Sequence, residues 1–384
     1  MKKFAIVGSG FSGAILAHFL AKKGYSVDVF EKRSHIGGNC YTFRDEETGI
    51  IVHKYGPHIF HTDNNEVWKF LNDLSTFEPY INRVKTNHDS RIFSLPVNLH
   101  TINQFFNKDF SPSEAKDFIN SKSINFAHEP SNFEEQALNF VGIELYEAFF
   151  KNYTIKQWGV DPNQLPASIL KRLPLRFDYN DNYFFHSYQG IPTKGYTEIF
   201  EKLLFSKYIN LFLNTSFNKN NINNYHHIFY TGPIDQWFDY KLGRLKYRTL
   251  DFEVERHNED FQGCAVMNYP DLDTPFTRIT EHKYFSPWEK SDKTIIFKEY
   301  SRDMDLNDEP YYPFRLVKDK NIFHDYINLA RMENKVSFLG RLATYRYLDM
   351  DKVIEEALLA KDMVLENLSK DQIIPPFFIN SNAI

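Results

Sequence analysis

Apolar and polar positions alternate along the chain in a way that predicts its first elements directly. Phe4–Val7 is an unbroken apolar run, the pattern of a short parallel strand buried on both faces. Gly8-Ser9-Gly10-Phe11-Ser12-Gly13 follows, then a helix through about Lys23, then a second strand over Ser26–Phe30. The uncharged stretch Phe4–Ala21 lies between two lysine pairs and has the outline of a secretory or membrane segment. Its three glycines, two serines and His18 suit neither, and it leads into another strand instead of a small-residue cleavage site, so neither secretion nor membrane insertion is expected.

Further along, residues from about 85 to 172 read as helical. Ser111-Pro112-Ser113-Glu114 is a capping box with proline at the first helical position, and Asn132-Phe133-Glu134-Glu135 opens another helix, which Gly142 separates from Ile143–Asn152. Strand signals dominate from 176 to about 300, apart from a helix near Tyr196–Phe205. Tyr247–Glu255, Gly263–Tyr269, Phe276–Lys283 and Thr294–Tyr300 predict an antiparallel sheet. Tyr225–Tyr230 and Val336–Leu339 read as strands returning to the first unit, and a helix is expected from about Asp349 to Asn367. The fold class is therefore α/β: a Rossmann-like domain (1–80, 206–240 and 318–384) with an inserted helical-bundle domain (85–172) and an antiparallel β-sheet domain (173–205 and 241–317).

Composition narrows the function classes. The 384 residues carry 45 Lys plus Arg against 50 Asp plus Glu, a net charge of −5 that argues against a broad nucleic-acid-binding surface. Cys40 and Cys264 match no disulfide framework or zinc-ligand spacing, so a reducing, cytoplasmic setting is expected. Aromatic residues make up 17% of the chain, enough to fill a core and to line a pocket for flat or sugar-like ligands.

The glycine run is G-x-G-x-x-G in the context the motif demands, strand, turn, helix and second strand, and Glu31 ends that second strand where a ribose-binding carboxylate belongs. The helix start then offers free amides and a positive dipole end to a pyrophosphate. Glu31-Lys32-Arg33 leads into His35-Ile36-Gly37-Gly38-Asn39, which resembles the extended motif of FAD proteins of the glutathione-reductase and amine-oxidase type. FAD is thus the expected cofactor, with Gly8, Gly10, Phe11, Ser12, Gly13, Glu31, Lys32, Gly38 and Asn39 as candidate contacts. His53, His58 and His61 surround a proline and lack a completing ligand set; no metal site is expected, and His53 is read as structural. Among Arg172, Arg176, Arg248, Arg278 and Arg341, a few are candidates for a diphosphate clamp, because guanidinium matches phosphate geometry.

Several motifs then converge. Asn39, His53-Lys54-Tyr55-Gly56-Pro57-His58-Ile59-Phe60-His61-Thr62, Tyr153-Thr154-Ile155-Lys156-Gln157-Trp158-Gly159, Lys171-Arg172-Leu173-Pro174-Leu175-Arg176-Phe177, Tyr230-Thr231-Gly232-Pro233-Ile234-Asp235, Glu309-Pro310-Tyr311-Tyr312-Pro313 and Gly340-Arg341-Leu342-Ala343 resemble the prokaryotic UDP-galactopyranose mutases, in consistent order from residue 1 to about 365. Pro57 stands where a small residue such as alanine belongs in that pattern, a change that removes no functional group. The resemblance implies an isomerase that interconverts UDP-galactopyranose and UDP-galactofuranose with no net redox change, through a covalent adduct between the N5 of reduced FAD (FADH−) and the sugar. It also implies a homodimer serving surface-polysaccharide synthesis.

Carried over by motif, Arg172 and Arg278 would be the catalytic pair that clamps the diphosphate, Arg172 on a loop that closes over substrate. Tyr183, Tyr312 and Tyr347 would contact diphosphate or sugar. Phe149, Phe150, Tyr153, Thr154 and Trp158 would form the nucleotide side, with Asn82 and Asn268 as polar contacts. His58, Ile59 and His61 would lie along the flavin, and Arg341, Asp349 and Met350 would form its second binding segment. Glu299 is read as a structural or sugar-contact residue, and Arg176 and Arg248 rank lower. The competing reading is a flavin-dependent oxidoreductase of amine-oxidase type, which shares the N-terminal fingerprint.

Overall fold

The opening unit is β1 (Lys3–Val7), α1 (Phe11–Lys22) and β2 (Ser26–Phe30), as the apolar pattern predicts. The computed structural model describes residues 2–172, 175–314 and 320–379, with the side chains of Ser168, Lys171, Arg172 and Lys320 outside that description. β1 is central in a five-stranded sheet ordered Ile209–Phe212, β2, β1, His227–Tyr230, Val336–Phe338, every neighbouring pair parallel. Alternate residues of β1 serve opposite layers. Phe4 and Ile6 pack with α1 and with helices Thr197–Leu204 and Met350–Ser369, whereas Ala5 joins Ile228, Trp237, Tyr326 and Phe338 on the other face. Burial on both faces is why these strands are almost wholly apolar. Asp28 in β2 is the exception, and it is tied to Lys3, Tyr225 and Asn210 at 2.7–2.9 Å.

A second sheet of seven strands runs Tyr312–Pro313, Tyr247–Asn258, Lys293–Asp303, Arg278–Glu281, Val266–Asn268, Val84–His88, Arg91–Leu95. It is antiparallel except where Val266–Asn268 pairs with Val84–Thr86. The helical part follows: Leu99–Phe106, Pro112–Lys122 with its capping box present, Phe133–Leu145 with Gly142 at φ 77°, then a π-helical turn Tyr146–Lys151 and Asn152–Trp158. Among the described residues, no helix is long and apolar enough to cross a membrane.

Three assignments differ from the sequence reading. Residues 84–95 form a β-hairpin, and helix begins only at Leu99. Asp89 and Ser90 both adopt positive φ (49° and 59°), the demand of a two-residue hairpin turn, and strand pairing to residues 266–268 outweighs local preference. Helix Thr197–Leu204 packs against α1 through Ile199, Phe200 and Leu203, so it belongs to the parallel-sheet core and not to the antiparallel part. Strand Tyr188–Pro192 likewise joins Phe60–Thr62 and Phe77–Pro79 in a separate small sheet.

Buried histidines support the loop that enters the site. The His53 main-chain N–H donates to His282 Nδ1 at 3.3 Å, and that of His58 donates to His53 Nδ1 at 3.1 Å. His53, like His282, is at most 1% exposed, so it has the structural place expected of it. Burial depresses His58 to about 4, and His227 and His282 to about 3, from an ordinary 6.5. Unfolded chains take up these protons through pH 6.5 while the folded chain stays neutral, so stability is complete above 6.5 and falls as pH drops toward 4. Each histidine contributes a slope of about 1.4 kcal/mol per pH unit. Urea unfolding at pH 7 and pH 5 is expected to show a loss of several kcal/mol; equal stability at both would mean that these rings charge in place.

Glycine spacing gives a second expectation. A Cβ on Gly13 would lie 2.0 Å from the Gly8 carbonyl oxygen, whereas one on Gly24 (φ +81°) meets nothing within 4 Å. Gly13→Ala should cost about 3 kcal/mol by overpacking against main chain, and Gly24→Ala only about 1 kcal/mol of left-handed strain. Urea midpoints of the two variants test the ordering, and equal losses would show that the helix slides away from β1 at little cost.

Candidate active site

A cavity of about 380 Å³ opens at the carboxyl ends of β1, β2 and His227–Tyr230. Its floor requires glycine. Gly8 has φ 103°, and a Cβ there would sit 2.1 Å from Thr231 Oγ1. One on Gly38 would lie 3.3 Å from Gly10 Cα, and one on Gly340 (φ 84°) 2.7 Å from Ser12 Oγ. α1 begins after Gly10 with no side-chain cap, which leaves its first amides for an anionic ligand. Phe11 and Ser12, in that first turn, line the cavity.

Glu31 is buried at the end of β2. Its carboxylate accepts from the Ser9 main chain at 3.0 Å, the Ser9 hydroxyl at 2.7 Å and the Arg33 main chain at 3.0 Å, so it is held ready with acceptor capacity left. Arg33 donates to Glu309 at 2.6 Å and to Asn39 at 2.9 Å, and lies 4.4 Å from the centre of the Tyr55 ring. Lys32 also pairs with Glu309, at 3.1 Å. Two buried nitrogens of this wall, Arg33 Nη1 and Arg341 Nε, have no hydrogen-bond partner among the described residues. The glycine floor, the free amides, the acid and the two unpartnered guanidinium nitrogens suit a dinucleotide with acceptor oxygens along its length.

Of the candidate cofactor residues, Gly8, Gly10, Phe11, Ser12, Glu31, Lys32, Gly38, Asn39, His58, Arg341 and Met350 line this cavity. Gly13 serves the contact between α1 and β1. Ile59 is buried in a separate cluster with Tyr80 and Phe285. His61 stacks on Phe184 at 3.7 Å and meets His186 at 3.1 Å, and Asp349 is the N-cap residue of Met350–Ser369. Arg33, Glu309, Thr231 and Trp237 line the cavity without having been singled out as contacts. Arg33, next to the ribose acid, was legible in principle; Glu309 was not, because 276 residues separate it from its partner Arg33.

Beside the cavity lies a cationic, tyrosine-rich cluster. Arg278 opens the strand Arg278–Glu281; its Nη2 donates to Tyr153 Oη at 2.9 Å and its Nε lies 3.3 Å from Glu299 Oε1, in a geometry that leaves Nε without a hydrogen bond. Glu299 is buried, which pushes its pKa up against the pull of Arg278. Burial, with Tyr153 close by, raises Tyr183 to about 12, and burial raises Tyr153 as well, so these phenols stay protonated donors. The Tyr312 and Tyr347 rings stack at 5.6 Å, and Tyr312 faces Trp158 at 6.4 Å. Asn268 stands opposite Arg278 in the sheet register.

Other candidates fall elsewhere. Phe149 is 4% exposed and packs edge-on to Phe93 and Phe105 at 5.1 and 5.4 Å; Phe150 and Thr154 are also buried. Asn82 is buried with Oδ1 unpartnered, and its carbonyl accepts from the Tyr183 main chain at 2.8 Å. Arg176 lies 3.9 Å from the Phe185 ring centre and bonds Asn180, while Arg248 is buried against Gln157, Ser301 and Asp303. Arg172 ends the 3₁₀ segment Ala167–Arg172, and its side chain is outside those described.

Comparison with known proteins agrees with this geometry. Residues 148–347 match the UDP-galactopyranose mutase family model, and residues 6–74 match a NAD(P)-binding Rossmann-like domain. The chain is 52% identical to a probable UDP-galactopyranose mutase of Klebsiella pneumoniae, over 98% of both chains. It is 51% identical to a dTDP-fucopyranose mutase of Escherichia coli, over 96% of this chain and 99% of the relative. A crystal structure of reduced UDP-galactopyranose mutase shares the fold, with a TM-score of 0.73 at 16% identity over 95% of this chain and 94% of that one. With a family model across more than half its length and a relative matched end to end, the chain belongs to the UDP-galactopyranose mutase family of isomerases.

Proposed function

We propose that the chain is a cytoplasmic, homodimeric, FAD-dependent mutase that interconverts UDP-galactopyranose and UDP-galactofuranose with no net redox change. The observation that carries this reading is a shared wall. Arg341 lines the dinucleotide cavity, and its guanidinium lies 5.6 Å from the ring centres of both Tyr312 and Tyr347 in the neighbouring cluster. A cofactor in one compartment therefore borders a substrate in the other.

The chain needs no nucleophile of its own, because FAD held here in its reduced form, FADH−, would supply one. In the cofactor site, Gly8, Gly10, Phe11 and Ser12 receive the pyrophosphate, Glu31 the ribose hydroxyls, and Lys32, Gly38 and Asn39 continue the wall. His58, Arg341 and Met350, which line the same cavity, would hold the flavin end. His61 and Asp349 act from the boundary between compartments: the Asp349 charge bears on both His61 and Tyr183. Gly13 and Ile59 act through packing alone.

In the substrate site Arg278 holds the diphosphate as the bond to the sugar breaks, because a buried guanidinium stabilises developing negative charge far better than one in water. Arg172 is assigned the second cation on its motif. Tyr153, Tyr183, Tyr312 and Tyr347 donate hydroxyl protons to diphosphate or sugar oxygens. Trp158, which faces Tyr312, and Asn268, opposite Arg278, are assigned to the nucleotide side; Phe149, Phe150, Thr154 and Asn82, buried outside the cluster, are assigned to it on their motifs alone. We keep the three-part domain division with two boundaries moved, the hairpin 84–95 to the sheet part and Thr197–Leu204 to the dinucleotide part.

The near-equal identity to the dTDP-fucopyranose mutase makes dTDP-fucopyranose the second reading of the substrate. Chromatography of UDP-galactofuranose incubated with purified protein, with and without dithionite, decides between them. We expect UDP-galactopyranose only under reduction and no stoichiometric consumption of reductant. Turnover of the fucose nucleotide alone would move the assignment to the second reading, and stoichiometric oxidation would favour an oxidase. Arg278→Ala should lose about 10²-fold in kcat/KM with its flavin retained; parent-like turnover would remove Arg278 from the site.

A further inference from the structure

Lys156 occupies a position that the assigned chemistry does not explain. It lies on helix Asn152–Trp158, three residues after Tyr153 and so on the same face. Its Nζ lies within hydrogen-bond distance of four main-chain carbonyls: Tyr269 at 2.5 Å, Asp271 and Thr274 at 2.8 Å, and Phe276 at 3.0 Å. An ammonium has three protons and no acceptor, so a half-buried lysine encircled by carbonyl oxygens behaves like a cation in a cage. The cage is the tip of a hairpin. Val266–Asn268 and Arg278–Glu281 are its strands, the Tyr269 amide donates to the Thr277 carbonyl at 2.9 Å, and the tip feeds directly into Arg278.

Helix and hairpin are thus joined twice, by the Tyr153 hydroxyl on Arg278 and by Lys156 in the tip. Burial pushes Lys156 down to about 8, Asp271 and Asp273 pulling the other way. The Asp271 carboxylate is held separately, by His88 Nδ1 at 2.6 Å and the Asp89 amide at 3.0 Å, so the far side of the tip has its own anchor. Lys156 is what gathers residues on both sides of the tip, from Tyr269 to Phe276, onto the helix that carries Tyr153.

We infer that Lys156 is a positioning residue for diphosphate binding: by caging the 269–276 hairpin tip it sets where Arg278 stands relative to the Tyr153 helix. The inference rests on the reading of Arg278 as a diphosphate contact. A guanidinium displaced by even an ångström loses much of its advantage over solvent, and misplacement on that scale is worth orders of magnitude in bound geometry.

The test is a double-mutant cycle on UDP binding, by calorimetry with flavin-loaded full-length protein: the parent, Lys156→Met, Arg278→Ala and the double variant. Lys156→Met should retain its flavin and bind UDP about tenfold more weakly, and should cause no further loss once Arg278 is gone. A lysine that merely stabilised the fold would lower the melting temperature and add its loss to that of Arg278→Ala. UDP affinity within twofold of the parent in Lys156→Met, or additive losses in the double variant, overturns the inference. If Lys156→Met does not fold, Lys156→Gln replaces it, and parent-like UDP affinity there is equally fatal. Undiminished UDP binding by Arg278→Ala is a different result: it removes the reading on which the inference stands.

Discussion

Main chain meets main chain around Gly8, and most of the structure depends on that approach. Residues near positions 8, 10 and 12 come against Thr231, Gly38 and Gly340, and at Gly8, Gly38 and Gly340 a methyl group would intrude on its neighbour. These contacts place the ends of β1, the His227–Tyr230 strand and the segment after Val336–Phe338 around one point. Only then does α1 start where its amides face a cavity and not the backbone of another strand. The glycines are also conformational necessities, since φ values of 103°, 56° and 84° lie in the left-handed region that a Cβ disfavours.

The adjoining cluster solves a different problem, the burial of charge. A guanidinium taken out of water without partners is severely destabilising, and one fully paired has little left to offer a ligand. Arg278 lies between these limits. Glu299 stands beside it and Tyr153 accepts one of its hydrogen bonds, but Nε makes none. The Tyr153 and Tyr183 phenols stay protonated because burial raises their pKa, which gives the compartment donors without adding negative charge.

The sequence was most readable where chemistry and geometry are local. The β1–turn–α1–β2 unit, the capping box at Ser111 and the kink at Gly142 each follow from residues within a few positions of one another. Reading failed where pairing is distant. Val84–His88 looked helical because its partners at 266–268 lie some 180 residues away, and Glu309 gave no sign of joining Arg33. Aromatic content was informative only in aggregate. Phe149 and Tyr312 are both aromatic in a sequence, yet one fills the helical core against Phe93 and the other stacks on Tyr347 at the site. Motif resemblance did not separate those roles either, since it carried both residues to the site.

The order of strands in the parallel sheet has a consequence for how the protein is made. β1 leaves the ribosome before the other strands of its sheet, but one of the strands that completes the sheet, Val336–Phe338, and the helix whose first turn borders the cavity come more than 300 residues later. At a synthesis rate of roughly 5–20 residues per second, the glycine turn waits tens of seconds for its walls. Through that interval the nascent chain has no finished dinucleotide site, and the helical and antiparallel parts are already outside the tunnel. Cofactor capture therefore waits until residues 340–353 have been made, and a product of translation interrupted before them lacks the cavity in which to retain it.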